Sequence, residues 1–182
     1  MTYEKEQALL AHYNKYPNGG TTLRDPQTIR IVFDLAGIFP LEGSKILDLG
    51  CASGVMADQV RELYNVDVTG VDSAFSRILL GKRERPKVDY IEQDIHAFLE
   101  TTKMKFDLIL MFDVIEHLEE PKETIKAAKK ILRPGGKIFS KTPLNFPYEA
   151  HLQVFKNRDD FKKRLDPTRY FEYGQSVIAV WE

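Results

Sequence analysis

Short runs of apolar residues alternate along most of the chain with longer segments in which apolar residues recur every three or four positions. A short apolar run is typical of a buried strand, and the longer spacing is typical of a helix with one buried face. Their regular alternation predicts an α/β fold built on a parallel sheet. The predicted strands are Lys45–Leu49, Val66–Val71, Val88–Gln93, Phe106–Phe112 and Lys137–Lys141.

The C-terminal part departs from this alternation. Asn157 is placed to cap a short helix, and Thr168–Tyr173 and Ser176–Trp181 are expected to pair as a hairpin around Gly174-Gln175. An antiparallel hairpin after the parallel strands closes a doubly wound sheet, so we expect the fold to be complete.

Two helices are predicted ahead of the first strand. Tyr3–Tyr16 is amphipathic and is ended by the breaker Pro17–Gly20, whereas Asp25-Pro26 supplies a capping residue followed by proline at the first helical position. The chain has 182 residues, which indicates one domain. We expect residues 1–40 to form a helical cap and residues 41–182 to form the core.

Composition and charge narrow the function classes. The chain has 26 Lys and Arg against 27 Asp and Glu, a net charge of −1, so there is no overall attraction to nucleic acid or to an anionic membrane. Its single cysteine excludes an intramolecular disulfide, and neither a membrane-length apolar run nor a signal sequence is visible. We therefore expect a soluble, cytoplasmic protein with a small-molecule substrate, no nucleic-acid or membrane partner, and a monomeric or homodimeric state.

The turn after the first strand is the main candidate for ligand binding, because a strand that opens into a glycine turn and a helix directs backbone N–H groups at the ligand. Starting from Gly50, the dinucleotide pattern fails because Ala52 and Val55 occupy its second and third glycine positions, and no Gly-Lys-Ser/Thr follows for a phosphate-binding loop. What remains is an acid, Asp48, followed by Gly50 and Gly54. The acid could accept from an ammonium, and the open turn could receive a nucleoside.

These residues resemble the first motif of the class I S-adenosylmethionine-dependent methyltransferases. Ala52 stands where many members have a further glycine, so a positive φ there would carry a cost. Further along, FDLILMFDVIEHLEEP and LRPGGKIF resemble the ubiquinone-biosynthesis-like, small-molecule branch, and the resemblance covers residues 43–143. It implies a Rossmann-like sheet of order 3-2-1-4-5-7-6, S-adenosyl-L-methionine as cofactor and S-adenosyl-L-homocysteine (SAH) as product. It also implies that the N-terminal helices lie beside the substrate opening, with Tyr13, Tyr16 and Arg24 as pocket residues.

Acids at the ends of the next two strands extend the expected cofactor site. Asp72 lies 18 residues after Gly54, at the distance where a carboxylate accepts the two hydroxyls of a ribose. The resemblance assigns the adenine amino group to Asp94 and the adenine ring to Ile95, while His96 is expected to be exposed or to cap the helix. The full expected cofactor set is Asp48, Gly50, Cys51, Ala52, Gly54, Asp72, Ser73, Asp94, Ile95 and Asp113.

The catalytic candidates follow the fourth strand. Methyl transfer depends mainly on alignment and exclusion of water, so no fixed triad is expected. His117 is the expected general base and Glu116 its alternative. The Asn/Asp-Pro-Pro-Tyr/Phe motif of DNA amino-group methyltransferases is absent, which favours an oxygen or an acidic carbon as acceptor.

Two other functions stay open. In metal-dependent small-RNA 2′-O-methyltransferases, a set similar to Asp113, Glu116, His117 and the distant His151 holds a divalent ion. Oxygen and nitrogen ligands would suit a hard or borderline metal, although the small-molecule interpretation expects none. The other alternative is an inactive regulatory or partner subunit that binds S-adenosylmethionine, against which the presence of His117 argues.

Overall fold

The protein, represented by a computed structural model that describes residues 26–182, is built on one seven-stranded sheet of order β3-β2-β1-β4-β5-β7-β6. β1 to β5 run parallel, whereas β7 pairs antiparallel with both β5 and β6. This is the predicted Rossmann-like α/β order. The strands are β1 Lys45–Leu49, β2 Asp67–Asp72, β3 Asp89–Glu92, β4 Phe106–Phe112, β5 Leu132–Pro143, β6 Arg169–Tyr173 and β7 Ser176–Trp181.

Helices cover both faces of the sheet, so successive residues of the central strands are buried on opposite sides. Leu110 of β4 belongs to the cluster that includes the first two helices, and Ile109 and Met111 belong to the cluster on the other face. This arrangement explains why the central strands are continuously apolar. The helices are α1 Pro26–Leu35, α2 Val55–Tyr64, α3 Phe75–Glu84, α4 Ile95–Thr101, α5 Pro121–Lys130 and α6 Arg158–Leu165.

β5 begins earlier than the sequence predicted. The sequence predicted a strand from Lys137, but Leu132–Gly136 already forms part of it, with a register shift between Phe106 and Leu108 of β4. Gly136 allows this close approach, because a Cβ there would lie 3.1 Å from the carbonyl oxygen of Phe106. An ion pair of 2.8 Å between Arg133 and Asp107 also joins the two strands.

The first part of the charged segment Lys82–Lys87 is helical, because α3 continues to Glu84. Lys82 and Arg83 lie in the last turn of this helix, where positive charge interacts favourably with the helix dipole.

At the N-terminal side, α1 starts at Pro26 as predicted. The predicted helix Tyr3–Tyr16 and the candidate pocket residues Tyr13, Tyr16 and Arg24 lie outside the described residues. Between residues 26 and 182, no helix combines the length and apolar character that crossing a membrane requires. The parallel strands β1 to β5 all end at one edge of the sheet, which is where this fold class binds ligands.

Candidate functional site

The turn between β1 and α2 has positive φ at every second residue. The φ angles are 74° at Gly50, 49° at Ala52 and 73° at Gly54, and the N–H of Gly50 donates to the carbonyl of Val71 at 2.8 Å. The expected cost of alanine in this turn is therefore real, at about 1 to 2 kcal/mol for a residue with a Cβ in the left-handed region.

Asp72 ties this turn to the end of β2. Its Oδ2 accepts from the N–H of Ala52 at 2.9 Å, and its Oδ1 accepts from the N–H of Ala74 at 2.8 Å. Burial raises the pKa of Asp72, while the two backbone donors and Arg77 oppose that rise. Ser73 is exposed beside it, and the α3 N-cap position is Ala74, with no side-chain cap. Asp72 thus fixes the geometry of two turns at the ligand edge.

Asp48 lies beneath the turn and is 3% exposed. Burial, reinforced by the charge of Asp72, raises its pKa to about 8. Among residues 26–182, its buried Oδ2 has no hydrogen-bond partner. A positively charged ligand group beside Asp48 would stabilise the ionised carboxylate, so the site fits a cationic ligand.

Cys51 occupies the turn but supports the sheet. Its Sγ lies 2.7 Å from the position that a Cβ on Gly70 would take, so the thiol fills the space that this glycine leaves open. Burial and the charges of Asp48 and Asp72 raise the pKa of the thiol. A thiol of this kind is a packing group and not a nucleophile.

Asp94 and Ile95 stand at the end of β3. Asp94 is the N-cap of α4, where its Oδ1 accepts from the N–H of His96 at 2.9 Å and of Ala97 at 3.1 Å. Ile95 is partly buried against the hydrophobic core, and His96 is exposed, which is one of the two outcomes expected for it. The cap fixes where these residues lie at the ligand edge.

The turn after β4 is strained and doubly anchored to β5. Asp113 has φ 54°, its N–H donates to the carbonyl of Lys141 at 2.8 Å, and its Oδ1 lies 2.6 Å from Lys141 Nζ. Lys141 is 3% exposed and the Asp113 side chain is 20% exposed, so the lysine end of this ion pair is buried and the carboxylate end is partly open. Sequence reasoning missed Lys141, although a lysine placed directly after the apolar residues Ile138 and Phe139 and Ser140, at the ligand edge of a central strand, was a visible signal.

The turns after β1 and β4 touch each other through Val114. A Cβ on Gly50 would lie 2.6 Å from Val114 Cγ2, so glycine is required here both for its positive φ and for this close approach. The contact fixes the distance between the candidate cofactor turn and the segment that carries Glu116 and His117.

Glu116, His117 and His151 form a compact group in which one ligand atom from each lies within 4.8 Å of the others. Glu116 is 1% exposed, and burial together with the charge of Asp113 raises its pKa well above the usual range. Burial lowers the pKa of His151, opposed by its backbone hydrogen bond and by Asp113.

Backbone hydrogen bonds set the tautomers of the two histidines. Nδ1 of His117 lies 3.1 Å from the carbonyl oxygen of Ala150, and Nδ1 of His151 lies 2.9 Å from that of Phe146. A carbonyl only accepts, so each Nδ1 carries a proton and each neutral ring has its lone pair on Nε2. The carbonyl of Glu116 also accepts from the N–H groups of Leu152 and Gln153, which anchors this loop to the β4 turn.

The set of four residues proposed for a metal divides in the structure. Glu116, His117 and His151 group together, whereas Asp113 is paired with Lys141. Phe146 and Tyr148 border the group, with ring centroids 5.7 and 5.5 Å from that of His151. The three grouped residues have the donor atoms to hold a divalent ion.

Comparison with known proteins gives a family match over most of the chain: the family described as "Methyltransferase domain" matches residues 22–172. Among curated proteins, the ubiquinone biosynthesis O-methyltransferase of Paracidovorax citrulli is 29% identical over 111 residues, covering 58% of this chain and 46% of that protein. The mitochondrial enzyme of the same name from Dictyostelium discoideum is 31% identical over 167 residues, covering 77% of this chain and 52% of that protein. The chain thus spans about half the length of these relatives.

Solved structures share the fold. The DhpI–SAH complex aligns with a TM-score of 0.73 and 14% identity, covering 99% of this chain and 97% of that chain. The methyltransferase in complex with the Trm112 activator of Haloferax volcanii aligns with a TM-score of 0.71 and 11% identity, with the same coverage. At these identities the similarity shows the fold alone.

The buried Asp48 carboxyl predicts a pH-dependent effect on stability. Its folded-state pKa of about 8 lies above the ordinary value of 3.8 for an aspartate, so its contribution to stability is full below about pH 4 and is lost as pH rises toward 8. Asp48→Asn should therefore stabilise the ligand-free protein by about 2 kcal/mol or more at pH 8.5, and by clearly less at pH 5. Urea denaturation at the two pH values measures this difference, with Asp89→Asn as the exposed control. An equal effect at both pH values would contradict the assignment.

Proposed function

Since the chain belongs to the methyltransferase-domain family, we propose that it transfers a methyl group from S-adenosylmethionine to an oxygen, or to an acidic carbon, of a small molecule. The observation that carries this proposal is the contact of Val114 with Gly50, which joins the glycine turn to the segment with Glu116 and His117. The relatives named ubiquinone biosynthesis O-methyltransferase support an oxygen acceptor.

The residues at the ligand edge fit the cofactor. Asp48, whose buried Oδ2 has no hydrogen-bond partner within the described part of the chain, would accept from the ammonium, and Asp72 would accept from the ribose hydroxyls. Asp94 and Ile95 would hold the adenine. The turn formed by Gly50, Cys51, Ala52 and Gly54, together with Ser73 and Asp113, would line the remainder of the site. When bound, S-adenosylmethionine supplies a methyl group on a sulfonium, which is a good leaving group.

The protein's own contribution would be orientation and removal of a proton. His117 is the proposed base, because its Nδ1 is engaged by the carbonyl of Ala150 and Nε2 is left as the basic atom. Glu116 would support it as a proton donor or acceptor, since burial and the charge of Asp113 raise the pKa of its carboxyl. The loop that carries His151 would shield the reacting groups from water.

Methyl transfer is tested by incubating the full chain with methyl-labelled S-adenosylmethionine and a metabolite extract, followed by mass spectrometry of the labelled products. Asp72→Ala should weaken cofactor binding by about 30- to 1000-fold, because one or two charge-assisted hydrogen bonds are lost.

His117→Ala should lower kcat by about 10²- to 10⁴-fold with cofactor affinity unchanged. The substrate for this measurement is the acceptor molecule that the labelled product identifies.

Three outcomes of that experiment would count against the proposal. If no molecule of the extract becomes labelled although the protein binds the cofactor at micromolar concentration, the result would favour the inactive-subunit interpretation. A loss of cofactor binding in His117→Ala would assign His117 a structural role. A fall in kcat of less than fivefold would exclude it as the base and direct attention to Glu116 and His151.

A second candidate function is metal-dependent O-methylation, including 2′-O-methylation of RNA. It is favoured by the group of Glu116, His117 and His151, in which both histidines direct Nδ1–H at backbone carbonyls. Metal-binding histidines commonly engage their second ring nitrogen in this way, leaving Nε2 for the ion. An ion on Nε2 of His117 would replace the base role with activation of the acceptor oxygen.

Metal binding is tested by titrating metal-free protein with Mg²⁺, Mn²⁺ and Zn²⁺ in a calorimeter. If this function is correct, one ion binds per chain, and His151→Ala weakens binding by about 10-fold or more, while His96→Ala, an exposed histidine on α4, leaves it unchanged. Equal binding by both variants, or no binding, would contradict it. Adding a short single-stranded RNA to the labelled-methyl assay separates an RNA acceptor from a small molecule.

A further inference from the structure

Three glycines from different elements face the ring of one tyrosine, Tyr90 of β3. A Cβ would lie 2.1 Å from Tyr90 Oη if placed on Gly54 of the glycine turn, and 2.7 Å from Cε1 if placed on Gly81 of α3. Gly70 of β2, which pairs with Tyr90 in the sheet, would bring a Cβ to 3.6 Å from Cδ1. A side chain at Gly54 or Gly81 would overlap the ring, so both glycines leave room for Tyr90. Gly54 also has a positive φ of 73°.

The polar end of Tyr90 reaches the glycine turn itself. Its hydroxyl donates to the carbonyl oxygen of Ser53 at 3.3 Å, and Nη1 of Arg85, just after α3, donates to the same oxygen at 3.2 Å. One carbonyl therefore receives a neutral donor and a charged donor from two elements outside the turn. Burial raises the pKa of the Tyr90 hydroxyl, so it remains a donor at physiological pH.

The carbonyl that receives these donors lies where the turn becomes a helix. Ser53 is 1% exposed and stands between Ala52 and Gly54, both of which have positive φ. The N–H of Gly54 donates to the carbonyl oxygen of Cys51 at 2.8 Å. The carbonyl oxygen of Gly54 accepts from the backbone N–H of Asp58 at 2.9 Å, in the first turn of α2. Fixing the Ser53 carbonyl thus fixes the peptide plane that leads from the strained turn into the helix.

We propose that Tyr90 and Arg85 are positioning residues that hold the Ser53–Gly54 segment in the conformation that receives the cofactor, an inference that rests on the proposed function. Neither side chain needs to touch the cofactor, because each acts through the Ser53 carbonyl. Tyr90 excludes other positions of Gly54 by its ring, and the two donors set the direction of the peptide. Preorganising the turn in this way lowers the ordering cost of binding.

The test uses calorimetric titration with SAH on the full chain and on the variants Tyr90→Phe, Arg85→Met and their combination. Each single variant removes one of these two donors to the Ser53 carbonyl and should weaken SAH binding by about 2- to 10-fold. The double variant removes both and should lose more than the product of the single effects. Tyr90→Leu, which also removes the ring, should weaken binding more than Tyr90→Phe does. Tyr173→Phe, on β6 at the opposite edge of the sheet, is the matched control and should bind as the unchanged chain does.

Hydrogen exchange of the ligand-free protein gives a readout that does not depend on the cofactor. Exchange at residues 51–58 should accelerate in Tyr90→Phe and more in the double variant, while the β4 segment Phe106–Phe112 stays protected. Variants that bind SAH within twofold of the unchanged chain and show no local acceleration would overturn the inference. If the unchanged chain fails to bind SAH, the proposed function fails, and the exchange pattern alone decides the role of Tyr90. If Tyr90→Leu does not fold, the other variants carry the test.

Discussion

The site depends on one close contact, the approach of Val114 to Gly50 at the edge where the parallel strands end. Two strained backbone segments meet there, the β1 turn with its alternating positive φ angles and the β4 turn with Asp113 at φ 54°. Strained segments of this kind persist only where the surroundings over-determine them. Here Asp72 holds the first turn through the N–H of Ala52, and Lys141 holds the second through both its carbonyl and its ammonium.

Buried acids give the same edge its electrostatic character. Asp48, Asp72 and Glu116 are at least nine-tenths buried, and burial raises the pKa of each. Lys141 and Arg77 are the buried cations among the described residues. Acids in such surroundings are costly to ionise and are stabilised when a cation approaches. We therefore expect a cationic ligand to bind with a larger gain in free energy than a neutral one, at the expense of the stability of the ligand-free protein.

The sequence predicted those parts of the structure that depend on local pattern. Apolar runs located the parallel strands. The spacing from Gly54 to Asp72 placed this acid at the carboxyl end of β2, where its side chain accepts from the N–H of Ala52 in the β1 turn. The sequence did not predict the ion pair of Lys141 with Asp113 or the hydrogen bond of Tyr90 to Ser53, because these partners lie 28 and 37 residues apart in the chain. Hydrophobic periodicity carries no information about such side-chain meetings. The early start of β5 was missed because Pro134-Gly135 is a typical turn signal. In the structure β4 pairs with Leu132 and again from Lys137 onward, so this dipeptide lies in the irregular part of the strand.

The β1 and β4 turns are proposed to form one site in which a methyl donor faces the segment from Val114 to His117. NMR with S-adenosylmethionine labelled with ¹³C at the transferable methyl group tests this arrangement. Intermolecular NOEs from that methyl should reach the Val114 methyl groups and the His117 ring. None should reach Phe39 or Leu41, which are exposed beside a cavity of about 240 Å³ lined by Asp107 and Lys137. NOEs to Phe39 or Leu41, or no NOEs to the β4 turn in a protein that binds the cofactor, would show that the methyl donor does not face the segment from Val114 to His117.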